Sequence, residues 1–178
     1  MNTPLPSFRY HPDPLATGAI EARAIECACC GQQRGFVYVQ PVYATCDLDE
    51  RLCPWCIADG SAASKLGASF SDPQPLQKAG VAQEVTEEVS LRTPGYSCWQ
   101  QEAWLSHCND ACEFHGDALE DDIEDASDAT KADWRQHYGL TEKDWARATK
   151  DYEPAGDNAF YKFVCRHCGV VRLGWDHA

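Results

Sequence analysis

An α+β fold in two small lobes is what this sequence predicts, and three observations carry that reading. Eight of the eleven cysteines fall into four close pairs. The segments between the pairs alternate short β-rich runs with stretches of helical periodicity. A proline-bearing stretch, Asp72-Pro-Gln-Pro75, separates the first two pairs from the last two, so the lobes span residues 1–76 and 77–178. A chain of 178 residues suits one compact domain or two small lobes sharing an interface, with a modest apolar core.

The pairs themselves define the chemistry. Cys27/Cys30, Cys53/Cys56 and Cys165/Cys168 are C-x2-C units, and Cys108/Cys112 has three residues between its thiols. Gly31 and Gly169 follow two of the units directly. A C-x2-C turn lets two thiolates converge about 2.3 Å from one zinc ion, and a trailing glycine supplies the positive φ of the tight turn. Four pairs give enough ligands for two closed tetrahedral zinc sites. The first is Cys27, Cys30, Cys53 and Cys56; the second, by elimination, is Cys108, Cys112, Cys165 and Cys168. His107, His115 and His167 lie beside the second set, and His115, in Cys112-Glu-Phe-His115, is the best placed to replace a thiolate. Cys29, Cys46 and Cys98 are left over and read as thiols without a role. The odd count excludes a fully paired disulfide framework, and a redox C-x-x-C accounts for one pair at most.

Taken in chain order, residues 1–20 carry four prolines and read as an extended segment pinned by Phe8 and Tyr10. The Cys27 knuckle leads into a β-rich run, Gly35-Phe-Val-Tyr-Val39, and then to Cys53 and Cys56 at the start of one or two helical turns. Knuckle, hairpin and a pair at a helix start is the order of a treble-clef or ribbon module, which makes this lobe treble-clef/ribbon-like and zinc-centred. Helix N-termini also favour the negative charge of thiolates. In the second lobe, Val81, Val85 and Val89 recur every four residues, as on one face of a helix ending at Arg92-Thr-Pro-Gly95. Trp99 to His107 reads as a helix presenting Cys108 and Cys112 from one face at i, i+4 spacing. Asp128–Tyr138 reads as a helix closed by Gly139, and Thr141 as an N-cap with Asp144 three residues on. Phe160–Val164 and Val170–Leu173 read as the arms of a hairpin around Cys165 and Cys168, so this lobe is helical and closed by a zinc knuckle.

With 15 Lys+Arg against 28 Asp+Glu, the formal net charge is −13, a poor match for a phosphate backbone. No run approaches the length of an apolar membrane span, and the opening residues lack the basic and apolar regions of a signal peptide. The expectation is therefore a cytoplasmic protein that binds neither nucleic acid nor membrane. Four thiolates leave zinc no open position, so both sites read as structural. No H-E-x-x-H, G-x-S-x-G, P-loop or G-x-G-x-x-G occurs. Asp110, Glu113 and His115 have the chemistry of an acid–base cluster but read as solvated residues at a helix end. From Glu113 to Thr130 there are eight acids and no Lys or Arg. Such a run reads as a solvated loop, or else as a surface drawing a basic partner by its long-range field, with Asp117, Glu120, Asp121, Asp122, Glu124 and Asp125 in contact.

Several motifs together resemble one family. They are Phe8-Arg-Tyr-His-Pro-Asp-Pro-Leu-Ala-Thr-Gly18, the Cys27/Cys30 knuckle, Cys53-Pro-Trp-Cys-Ile57 with Gly60, Arg92-Thr-Pro-Gly-Tyr96, Trp99-Gln-Gln-Glu102, Trp104-Leu105, His107-Cys108 and Cys165/Cys168-Gly169. The chain is similar, from Phe8 to Gly169, to the CbrC family of small bacterial proteins known as colicin E2 tolerance proteins. The resemblance implies a bacterial cytoplasmic protein with bound zinc and an association with survival of a nuclease bacteriocin. It supplies no established activity. With the charge, it leads to the expectation of a non-catalytic, zinc-stabilised acidic protein that neutralises a basic, nuclease-type toxin as an immunity protein does. The alternative is an enzyme with a pocket around Arg92–Gly95 and Trp99–Glu102 and structural zinc.

Overall fold

The structure, a computed structural model, describes residues 4–177. In chain order the elements are β1 (Ile20–Glu21), β2 (Val37–Tyr38), α1 (Pro54–Ala58), α2 (Ser61–Leu66), α3 (Gln74–Lys78), α4 (Gln83–Arg92), β3 (Ser106–His107), β4 (Asp110–Ala111), β5 (Glu113–Asp117), α5 (Glu120–Glu124), α6 (Asp128–Tyr138), α7 (Glu142–Ala148), β6 (Asn158–Val164) and β7 (Val171–His177). They form two two-stranded sheets, β1-β2 and β3-β4, and one antiparallel three-stranded sheet in the order β5-β6-β7. This is a mixed architecture of short helices and small sheets.

The three-stranded sheet organises the second half because its side chains alternate between faces. Phe114, Tyr161 and Phe163 point into one cluster with Tyr96 and Trp104. Phe160 and Leu173 point into another, with Ile123, Trp134 and Trp145. In the first of these, Tyr96 stacks on Phe114 with ring centroids 4.4 Å apart. A third cluster, built on Ile20, Tyr38, Leu52, Ile57 and Phe70, fills the half containing β1, β2, α1 and α2. Two glycines admit close approaches. Gly116 adopts φ 91° at an irregularity of register between Phe114 and Asp117. A Cβ at Gly95 would lie 1.9 Å from the carbonyl oxygen of Phe70, so only glycine lets these two backbones meet.

The helices at Asp128–Tyr138 and after Thr141 form as the capping signals predict. Ser127 Oγ accepts the Thr130 N–H at 3.1 Å, Gly139 closes α6 at φ 66°, and Asp144 accepts the Thr141 N–H at 2.9 Å. The valine-spaced segment is also helical, starting at Gln83, with Val81 buried just ahead of it. Phe8 and Tyr10 are both buried and fix the extended N-terminal segment.

One element differs. Trp99–Ser106 is not a helix but an extended stretch running into β3. Trp104 and Leu105 are both buried although adjacent, and the segment doubles back on Cys112: Cys112 N–H donates to Leu105 O at 2.9 Å and Trp104 Nε1–H to Cys112 O at 2.9 Å. The acidic run likewise is not one loop; it begins as strand β5 and continues as helix α5, anchored by buried Ile123.

Candidate metal centres

The two glycine-terminated knuckles fold identically. In the first, Cys27 N–H donates to Gln32 O and Gly31 N–H to Cys27 O, with Gly31 at φ 66°. In the second, Cys165 N–H donates to Val170 O and Gly169 N–H to Cys165 O, with Gly169 at φ 73°. Each presents its paired side chains to a second segment of the chain.

For the first knuckle that segment is the start of α1, where Cys53 is the N-cap and Cys56 follows in the first turn. The four sulfurs gather: Cys27–Cys56 and Cys30–Cys53 are both 3.9 Å apart and Cys53–Cys56 is 3.6 Å. A tetrahedron with the 2.3 Å arms of a zinc–thiolate site has edges of about 3.8 Å, so the donors are spaced for such an ion. Cys27, Cys53 and Cys56 are buried. The Cys53 thiol, and against burial the backbone N–H groups of Cys53, Cys30 and Cys29, hold the Cys27 thiol down to about 4, while the hydrogen bond to Cys27 pushes Cys53 up and burial pushes Cys56 up to about 12.

The second set differs from the sequence expectation. Four donors come together from His107, Cys108, Cys165 and Cys168, and Cys112 is not among them. His107 Nδ1 lies 3.2 Å from Cys108 Sγ and 3.4 Å from Cys168 Sγ, and Cys108 and Cys168 sulfurs are 3.9 Å apart. The cause is the hairpin β3-β4. Cys108 and Asn109 occupy its turn at φ 52° and 59°, which brings His107 beside Cys108. Cys112, past β4, points into the core, away from the other donors, and burial pushes its thiol up to about 12. His115 sits on β5 against Glu113, 3.3 Å away, and His167 bonds Asp110 at 2.8 Å. At Cys165, burial raises the thiol but is outweighed by hydrogen bonds from the His167 and Cys168 backbone and from His107, bringing it to about 6. Unlike the first set, this one lies at the surface, with Cys108 and Cys168 exposed.

Asp110 is the residue that sequence reasoning undervalued. It is not a solvated acid. It accepts the Tyr10 hydroxyl at 2.8 Å and bonds His167, with Arg166 at 3.5 Å, and so ties both loops of the second set to the N-terminal segment. Buried His11 does similar work: Nδ1–H donates to Pro94 O at 2.8 Å, and Nε2 accepts from Thr17 Oγ1 at 2.6 Å.

Six of the eight acids of the 113–130 run are divided among three places. Asp121, Asp122 and Asp125 border a cleft of about 400 Å³ beside Ser127, Thr130 and Gly169–Val171. Within it Asp122 is already engaged, by Lys162 Nζ at 2.5 Å and by capping the Leu119 N–H. Glu120 and Glu124 line a smaller groove on the other side of α5. Asp117 stands apart, in a cleft with Trp99. Of the Arg92–Gly95 and Trp99–Glu102 block, Gly95 and Glu102 serve packing, while Arg92, Trp99, Gln100 and Gln101 are exposed. Gly95 meets Phe70, and buried Glu102 accepts the Tyr43 hydroxyl at 2.6 Å and the Asp72 N–H at 2.9 Å. Of the remaining thiols, Cys46 is exposed, Cys29 lies beside Ser61, and half-buried Cys98 is pushed up to about 12 by burial.

Fold and donor sets together define a small α+β protein with two cysteine-rich clusters, each arranged as a metal site would be: one of four cysteines, the other of three cysteines and a histidine. The chain belongs to UPF0167, an uncharacterised protein family whose model matches residues 5–177. It is 51% identical over 177 residues to a UPF0167 protein of Pseudomonas aeruginosa, covering 99% of both chains. It is 44% identical over 171 residues to a UPF0167 protein of Mycobacterium bovis, covering 93% of this chain and 90% of that one. No solved structure matches the chain. Among the described residues, no helix is long and apolar enough to cross a membrane.

Proposed function

We propose that this is a non-catalytic, zinc-stabilised acidic binding protein of the cytoplasm that occludes a basic, nuclease-type toxin in the manner of an immunity protein. The observation that carries the reading is the cleft bordered by Asp121, Asp122 and Asp125, where only Asp122 has a cationic partner among the described residues. In a chain of net charge −13, two free carboxylates at a concave surface attract a basic side chain and orient its approach. The resemblance to colicin tolerance proteins points to the same class of partner. Zinc is the ion that best suits both donor sets, since thiolate and imidazole in tetrahedral spacing are its usual ligands. Bound there it would join each knuckle to its opposing segment, and with four protein donors it would hold no water for catalysis.

Calorimetry against an inactive variant of a basic toxin encoded in the same genomic neighbourhood tests the reading. The double substitution Asp121→Lys with Asp125→Lys is expected to weaken binding about a hundredfold, chiefly through association rate at low salt. Unchanged affinity would remove the electrostatic interface. Metal analysis finding no zinc in freshly purified protein would remove the zinc scaffold independently.

A further inference from the structure

The cleft that holds Asp117 is built differently from the acidic cleft beside α6. It encloses about 380 Å³, within the roughly 300–1,000 Å³ range of small-molecule sites, and is bordered by Trp99, Asp117, Gly156 and Tyr161. Trp99 is 54% exposed, unusual for an indole, yet it is not loose: its Nε1–H donates to Gly156 O at 3.2 Å, pinning the ring at the cleft. Opposite on the sheet, Asp117 is the register partner of Tyr161 across β5 and β6. Among the described residues, neither the Asp117 carboxylate nor the Tyr161 hydroxyl has a hydrogen-bond or ionic partner. Asp117 is exposed at the rim of the cleft, and partial loss of hydration pushes its carboxyl above its ordinary value, with no cation to offset it.

An exposed aromatic face and an unpaired carboxylate at one cleft are complementary to one ligand chemistry. Anions are repelled by Asp117. A neutral apolar ligand would cover the carboxylate without pairing it. A soft organic cation satisfies both, because its charge meets the carboxylate while its alkyl or planar surface lies against the indole. We propose that the Trp99–Asp117–Tyr161 cleft is a binding site for an organic cation, an alkylammonium or guanidinium head group. The Gly156 carbonyl is taken by Trp99, so the ring stays in place when the site fills, and the Tyr161 hydroxyl is the polar group left to select an N–H-bearing cation over a fully methylated one. The site stands apart from the toxin-binding reading and does not depend on it.

The test is a titration of the full-length protein with tetramethylammonium and, separately, with N-acetylarginine amide, at matched ionic strength, following the indole N–H resonances of the six tryptophans by NMR. The Trp99 resonance, assigned with Trp99→Leu, is expected to shift saturably with a dissociation constant on the order of 1 mM, while the buried indoles of Trp104 and Trp134 stay fixed. Asp117→Asn should weaken binding about fivefold. The neutral isostere, 3,3-dimethyl-1-butanol, whose neopentyl group has the shape of tetramethylammonium, should not bind. Tighter binding of the arginine amide assigns the guanidinium and the Tyr161 hydroxyl; equal binding assigns charge and ring alone. No saturable shift of Trp99 with either cation would overturn the proposal, as would equal affinity for the neutral isostere or for Asp117→Asn shown by circular dichroism to be folded.

Discussion

Arg172 grips Asp133 with two bonds, Nε to Oδ2 at 2.7 Å and Nη2 to Oδ1 at 2.9 Å, joining β7 to α6 across 39 residues of sequence. The same guanidinium donates through Nη1 to the carbonyl oxygen of Ser106, the residue that opens hairpin β3-β4. The Arg172 side chain is only 13% exposed, so its charge relies on this fork. Replacing Asp133 leaves that charge uncompensated. Asp133→Ala is expected to cost about 2 kcal/mol in urea unfolding, whereas Asp144→Ala, at the start of α7, should cost clearly less.

Metal content separates His107 from Cys112. Wild-type protein is expected to carry two zinc equivalents, released to a chromogenic chelator in two phases, the faster from the exposed, histidine-containing set. His107→Ala should remove the faster phase and leave the slower one. Cys112→Ala should keep both phases and lose about 1 kcal/mol of stability through a small core cavity. Loss of one equivalent on Cys112→Ala, with His107→Ala silent, would restore the ligand set first expected from spacing.

That exchange shows what the sequence made legible. The C-x2-C knuckles could be read because their turn is closed locally, within four residues and a glycine. The hairpin arms, read at 160–164 and 170–173 and found at 158–164 and 171–177, and the capped helix at 128–138 followed from period and terminal signals for the same reason. The partner of the second knuckle could not be read, because i, i+4 spacing of Cys108 and Cys112 suits a helix as well as it suits nothing at all. Adjacent burial of Trp104 and Leu105, which denies the segment a helical face, is decided by packing in the cluster with Phe114 on β5 and Phe163, far along the chain, on β6. Asn109-Asp110 after Cys108 was the available hint of a turn. The cleft of Trp99 and Asp117 was invisible for a similar reason: Asp117 meets Tyr161 through the register of β5 on β6, and Trp99 reaches them by its bond to Gly156 O.

Gly95 tests the junction between the two halves. Its hypothetical Cβ falls 1.9 Å from Phe70 O, a backbone atom that cannot swing aside. Gly95→Ala should therefore destabilise by about 3 kcal/mol or more, or prevent folding. Gly80→Ala is the control: nothing lies within 4 Å there, and only the strain of φ 73° is added, costing about 1 kcal/mol.

Acid should weaken the protein through His11. Burial, partly offset by its bond to Pro94 O and reinforced by nearby His115, lowers this imidazole from 6.5 to about 4. It is neutral in the fold, while the unfolded chain takes up a proton below 6.5. Stability contributed by the neutral ring is therefore complete above that pH and is lost as pH falls toward 4, by roughly 3 kcal/mol in all. Melting temperatures measured from pH 7 to pH 4 should fall less steeply in His11→Gln than in wild type. Parallel slopes would show that other groups govern the acid limb.

Tyr10 meets Asp110 one hundred residues away, and His11 meets Pro94 across eighty-three. Closing spans of that size costs chain entropy before any contact is made, so this clasp belongs among the last events on the folding route. During synthesis the segment holding Tyr10 and His11 leaves the ribosome long before its docking groove exists. Until more than half of the polypeptide has emerged, those aromatic side chains must wait in solvent, and a protease added to stalled nascent chains would find them there.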